Sequence, residues 1–191
     1  MSTLANPFVP PEEYLEHERK ADSKSEYHDG QVYPMSGASR WHNRINAQLY
    51  SLIDAHLAGG SCEWYLSEMR LLVEATGLYT YPDLSVVCGE SRFADDHIDT
   101  LLNPILLVET LSPSTENYDR GGKAAAYRKI PSLQELLLIE QKSFEVELQR
   151  RSPDGSWLLI GAAGLEASIE LQSIGYTLRL SELYRRVVER L

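Results

Sequence analysis

The sequence predicts an α/β fold in which a mostly antiparallel first part leads into a crossover unit. Three observations predict it. Trp41, Ile45, Leu49, Leu52, Ile53 and Leu57 recur at three- and four-residue steps, the period of an amphipathic helix. The other apolar runs are strand-sized and bounded by turn residues. Residues 104–111 are almost continuously apolar, as in a strand buried on both faces, and a helical stretch and a second apolar run follow them.

The elements follow in order. Pro7, Pro10 and Pro11 make an extended entry, and 11–20 reads as a short polar helix opened by proline, whose missing N–H costs nothing in a first turn. Residues 26–33 read as strand, turn, strand, with Asp29-Gly30 the strongest hairpin signal in the chain. Ser39 is the expected cap of the amphipathic helix and Gly59-Gly60 its stop. Strands are expected at 62–66, 68–74 and 81–88, and a polar, acidic loop at 91–103. Residues 115–129 read as a helix. Further strands fall at 136–140, 144–150 and 157–161, with Pro153-Asp154-Gly155 as a turn. Residues 178–191 include a short closing helix, capped by Ser181.

Composition narrows the function. The chain has 191 residues, 43% apolar and 24% charged, which excludes collagen-like, disulfide-scaffold and bulk-disordered classes. Its formal charge of -10 argues against a surface built for avid, nonspecific nucleic-acid binding, but not against an acidic catalytic cleft. Cys62 and Cys88 form no zinc or redox spacing and read as two buried thiols in a reducing cytoplasm. The first eleven residues carry no signal-peptide pattern, and no apolar run reaches membrane-spanning length.

Two carboxylates stand where burial is expensive. Asp83 precedes the apolar run 84–87, and Glu109 ends the run 105–108. An ionised carboxylate beside a sheet core costs several kcal/mol unless it is paired or binds a metal. If the strands are neighbours, both acids meet at one sheet edge, which suits Mg²⁺. Taken singly, either acid equally fits a turn cap or an arginine partner. Asp119, Lys123 and Tyr127 share a helical face at i, i+4, i+8. On spacing alone Asp119–Lys123 is an ordinary solvated pair. Gly121-Gly122 before the lysine suggests that a backbone or a ligand comes close, and the segment is not a Walker loop.

The ordered set of Glu26-Tyr27-x-Asp29-Gly30, Met35-Ser36-Gly37, His42 opening a helix, Tyr81-Pro82-Asp83, Val108-Glu109-Thr110-Leu111-Ser112-Pro113 and Asp119-x-x-x-Lys123-x-x-x-Tyr127 resembles the Uma-two family of restriction endonucleases, within the PD-(D/E)xK nuclease superfamily. The resemblance covers about residues 10–151 and implies a restriction-endonuclease-like core, a central mixed sheet flanked by helices. It implies one nuclease-type domain over 1–191, with an N-terminal helical extension (1–24), the core (25–151), and C-terminal strands with a short helix (152–191). Asp83 matches the motif aspartate and Glu109 the motif acid. The superfamily lysine two residues later is Leu111 here, so Lys123 is the candidate for a lysine displaced to the adjacent helix. The resemblance also brings in Glu26, as an added carboxylate, and His42, as a contact to phosphate or metal-bound water. His17, His28, His56 and His97 form no metal spacing. Arg128, Lys129, Arg150 and Arg151 are the best basic groups for a phosphate backbone, or else ordinary solvated charges.

The expected activity is Mg²⁺-dependent (or Mn²⁺-dependent) hydrolysis of phosphodiester bonds in DNA, by a cytoplasmic endonuclease. Asp83, Glu109 and the carbonyl of Thr110 would hold the metal, and Lys123, Glu26 and His42 complete the catalytic set. A homodimer through apolar edge strands would suit double-strand cutting. Two alternatives stay open at this point: a catalytically silent nuclease-fold binding module, and a hydrolase of small phosphoesters.

Overall fold

The computed structural model describes residues 7–187; expectations falling on 1–6 and 188–191, the outer ends of the predicted extension and closing helix, lie outside them. Helix α1 (Pro11–Glu18) starts at its proline and buries Tyr14. Strands β1 (Ser25–His28) and β2 (Gln31–Pro34) form the predicted hairpin. Its turn holds Asp29 at φ 50° and Gly30 at φ 75°, the left-handed pair that a tight hairpin demands. A Cβ on Gly30 would lie 2.0 Å from the exposed Phe8 ring, which would have to move aside, so the positive φ is what chiefly calls for glycine. Helix α2 (Arg40–Leu57) is capped as expected, the Ser39 side chain accepting from the His42 N–H.

The remaining strands are β3 (Cys62–Leu66), β4 (Arg70–Val73), β5 (Leu78–Thr80), β6 (Leu84–Cys88), β7 (Thr100–Leu101), β8 (Leu106–Thr110), β9 (Glu135–Ile139), β10 (Glu145–Arg151), β11 (Trp157–Ala163), β12 (Ser168–Leu171) and β13 (Tyr176–Arg179). They form a five-stranded sheet, β2-β1-β5-β4-β7, a six-stranded sheet, β11-β10-β9-β8-β6-β3, and a β12-β13 hairpin. In the six-stranded sheet β8 and β9 run parallel and their neighbours antiparallel. The crossover between them is the predicted helix 115–129. One face of this sheet buries Leu84, Val86, Leu106, Val108 and Leu137 against Ile45, Leu49 and Ile53 of α2. The other buries Val87, Leu107, Leu136 and Leu138 against Tyr127 of the crossover and Leu71 and Val73 of the smaller sheet. The result is the expected α/β architecture of mixed sheets flanked by helices.

Several expectations need correction. The helix 115–129 is broken into α3 (Glu116–Tyr118), a π turn (Asp119–Lys123) and α4 (Ala124–Tyr127). Gly121 and Gly122 admit no close backbone: a Cβ on Gly121 would meet nothing within 4 Å, and one on Gly122 only the Tyr118 ring at 3.5 Å. The glycines ease the widened turn and leave its outer side bare. The loop 91–103 contains β7, which pairs with β4. The chain after 164 makes the β12-β13 hairpin before α5 (Leu180–Leu183). Arg179 occupies the cap position, and Ser181 lies inside the helix rather than capping it. Cys62 and Cys88 are not free thiols: β3 and β6 place them opposite each other, and they are joined as a disulfide.

Candidate active site

Asp83 stands one residue before β6 and Glu109 near the end of β8. The strands are antiparallel neighbours with Leu84 opposite Val108, so the two acids fall side by side at one edge of the sheet. Both are buried. The predicted convergence is therefore a consequence of register.

Asp83 is held by three donors. Asn46 Nδ2 donates to its Oδ1 at 2.9 Å, the Thr110 N–H to its Oδ2 at 2.7 Å, and His42 Nε2 lies 3.1 Å from the same oxygen. A carboxylate offers about four lone-pair sites, so roughly one is left open. Asn46 also lies 3.3 Å from His42 Nδ1. An amide N–H facing Nδ1 makes that nitrogen the acceptor and leaves the His42 proton on Nε2, aimed at Asp83. The Thr110 hydroxyl donates to Asn46 Oδ1 at 2.6 Å, and the Tyr50 hydroxyl donates to the Asp83 carbonyl at 3.0 Å.

Lys123 reaches the site. Its Nζ lies 2.9 Å from Glu109 Oε1, 3.0 Å from Glu26 Oε1 and 3.7 Å from Asp119 Oδ1. Tyr127 donates to Glu109 Oε1 at 2.6 Å, and the Thr80 hydroxyl donates to Glu26. Lys123 and Asp119 are each 5% exposed, which removes the solvated-pair reading. The π turn brings both inward, a helix irregularity often found at functional sites. The smaller sheet contributes Glu26 through β1, so the site forms where the two sheets and the crossover meet.

The cluster is electrostatically tense. Burial pushes the Glu109 carboxyl up to about 8, with Asp83 and Asp119 adding to the rise while Lys123 and Tyr127 oppose it. Burial alone would lower the Lys123 ammonium, but Glu109, Tyr127, Glu26 and Asp119 outweigh it and hold the group well above the usual lysine value. Burial likewise raises Asp119. The lysine stays charged, and the acids around it compete for one cation.

The model of the family described as "Putative restriction endonuclease", Uma2, matches residues 11–181. The chain belongs to the Uma2 family. Two relatives from Synechocystis sp. are similar to it: the uncharacterized protein slr1290, 41% identical over 94% of this chain and 93% of its own length, and the uncharacterized protein sll1609, 39% identical over 83% and 89%. Among solved structures, one from Anabaena variabilis titled a "putative nuclease belonging to DUF820" superposes with a TM-score of 0.75 at 19% identity, covering 93% of this chain and 98% of that one. At that identity the likeness shows the fold.

Within this Uma2 fold, Glu26, His42, Asp83, Glu109, Thr110 and Lys123, all singled out from sequence, come together. Asn46 was not legible, although its place one helical turn after His42 was the available signal. Three of the four proposed phosphate contacts are engaged internally. Arg128 donates to Gln149, Arg150 pairs with Glu135, and Arg151 donates to the carbonyls of Arg128 and Ile130. Among the described residues no helix is long and apolar enough to cross a membrane.

The donor set at Asp83, Glu109 and Thr110 is all hard oxygen, which suits Mg²⁺ in kind. The Thr110 N–H faces Asp83, and in a regular strand the carbonyl of the same residue faces the same side. Among the described residues no three His, Cys, Asp or Glu side chains are arranged to hold a metal. Lys123 takes up the charge that a cation would otherwise balance at Glu109 and Glu26.

Proposed function

We propose that this Uma2 protein is a metal-dependent endonuclease that hydrolyses phosphodiester bonds in DNA. One observation carries the reading. With Leu111 where the superfamily lysine would stand, the Lys123 ammonium lies 2.9 Å from Glu109 and so supplies the missing cation from the next helix. Asp83, Glu109 and the Thr110 carbonyl would hold Mg²⁺, or Mn²⁺, with Lys123 withdrawing from Glu109 to make room. When bound, such a cation lowers the pKa of a water ligand and offsets charge building on the phosphate. Asn46, His42 and the Thr110 N–H fix the Asp83 carboxylate so that its open lone pair points one way. Lys123 orients the attacking water and stabilises phosphoryl oxygens as their charge grows. Glu26 and Asp119 keep that lysine protonated. A cytoplasmic setting and a homodimer belong to the same proposal. The cytoplasm now rests on the substrate alone, because the cysteines are paired. The dimer rests on edge strand β11, which leaves Leu158 and Leu159 more than half exposed.

Calorimetry with Mg²⁺ and Mn²⁺ at low salt tests the metal. Binding to the wild type should vanish in Asp83→Ala, and DNA cleavage should vanish in both Asp83→Ala and Glu109→Ala with the fold intact. Cleavage retained in both variants would overturn the assignment. The second reading, a silent binding module, draws support from Lys123 sitting among the carboxylates. No metal binding, even with a short oligonucleotide present, would favour it.

A further inference from the structure

We infer that Tyr33 and Tyr118 form a stacking platform beside the carboxylate–lysine cluster, so that the site receives unpaired nucleotides rather than an intact duplex. The inference rests on the nucleic-acid reading above and specifies the form of the substrate.

Tyr33 lies directly opposite Glu26 in the β1-β2 hairpin. Residues opposite each other in an antiparallel pair share a face, with Cβ atoms about 4.5–5.5 Å apart. Glu26 points to Lys123, so Tyr33 flanks the same mouth from the sheet edge. Its side is open: Tyr33 is 53% exposed. Tyr118 immediately precedes Asp119 and is 40% exposed. Its ring lies 3.5 Å from where a Cβ on Gly122 would stand, so it packs along the π turn that carries Asp119 and Lys123; burial of its inner side, then the Glu26 carboxylate, push its phenol up to about 12. One exposed aromatic side chain thus stands opposite Glu26, and a second, partly exposed, beside the turn that carries Lys123. The exposed Gly121 and Gly122 follow Tyr118 on the π turn, and the space beside the Gly121 Cα is open.

Duplex binding draws chiefly on cations along the phosphate backbone. This protein carries a formal charge of -10, and Arg128, Arg150 and Arg151 are tied to internal partners. Stacking on aromatic rings needs no such patch and accepts any base, because every base has a π-face. The unstacked bases of a single strand can reach it, whereas those of a duplex cannot.

The test is binding of a short single-stranded DNA carrying a fluorescent adenine analogue, against the same sequence as a duplex, with Ca²⁺ present and Mg²⁺ withheld. The single strand should bind the more tightly, and its fluorescence should be quenched. Tyr33→Ala and Tyr118→Ala should each weaken it on the order of tenfold and relieve the quenching, with unchanged thermal midpoints. Tyr33→Phe and Tyr118→Phe should bind like the wild type, since a ring stacks without its hydroxyl. Equal or tighter duplex binding, no binding of either form, or alanine variants indistinguishable from the wild type would each overturn the inference. The two readings fail separately. A wild type that stacks the single strand but never cleaves with Mg²⁺ refutes the nuclease alone. One that cleaves duplex equally well in the alanine variants refutes the platform alone.

Discussion

Glu109 and Glu135 lie on adjacent parallel strands, β8 and β9, and both are buried. Their surroundings could hardly differ more. Glu135, at the start of β9, receives the backbone N–H groups of Gln172 and Ser173, the Ser173 hydroxyl and the Arg150 guanidinium. Its charge is met by fixed donors on every side, and it ties the β12-β13 connection to the sheet. Among the described residues Glu109, near the end of β8, receives only the Tyr127 hydroxyl and a lysine that it shares with Glu26 and Asp119. Burial is thus no guide to role. What separates the two is satisfaction: one acid is saturated, while the other is one of several competing for a single cation.

Substitution should therefore separate stability from chemistry. Glu135→Ala leaves the Arg150 Nε and the part-buried N–H groups of Gln172 and Ser173 without their partner, a loss of about 3 kcal/mol, the lower end for a broken buried pair because Arg150 is partly exposed. Urea unfolding should show it as a lower midpoint, and metal binding should survive wherever the fold does. A neutral result would end the contrast, because Glu135 would then be as dispensable to the fold as a surface acid. Lys123→Met tests the other side. It strips the cation from two buried carboxylates, Glu109 and Asp119, and from the partly buried Glu26, all of which can take up a proton or another cation, so the loss should be smaller, about 1–3 kcal/mol. Millimolar Mg²⁺ should raise the thermal midpoint of this variant more than that of the wild type. An equal response would mean that Lys123 and a metal do not share a place.

Much of this was legible in the sequence because it rests on local rules. Ser39, Asp29-Gly30 and the 45–49–53 stripe encode their elements within a few residues. The pairing of Asp83 with Glu109 needed one further step, the adjacency of two apolar strands. Four things were not legible, each for a physical reason. The π turn depends on burying Asp119 and Lys123 together, which a helical period cannot report. The Asn46 contacts to Asp83 and Thr110 arise from a helix crossing a sheet, with 37 and 64 residues between the partners. The cysteine pairing depends on the β3–β6 register, and spacing along the chain is silent about it. The C-terminal hairpin was missed because its strands are short, and the buried Glu135 that anchors them belongs to another element.

The last way to sharpen the contrast is the pH dependence of Glu109. The Glu109 carboxyl is raised from about 4.5 to about 8 by burial. Between those values the unfolded chain has lost this proton while the native state keeps it, so native stability falls as pH rises through that window. Below about 4.5 both states are protonated and the contribution is complete; above about 8 it is gone. Glu109→Gln cannot ionise, so its stability relative to the wild type should climb as pH goes from 5 to 9. Urea midpoints across this range, with EDTA present, measure both slopes. Parallel curves for wild type and Glu109→Gln would mean that Lys123 fully compensates the burial of Glu109, and that its partners carry no electrostatic tension.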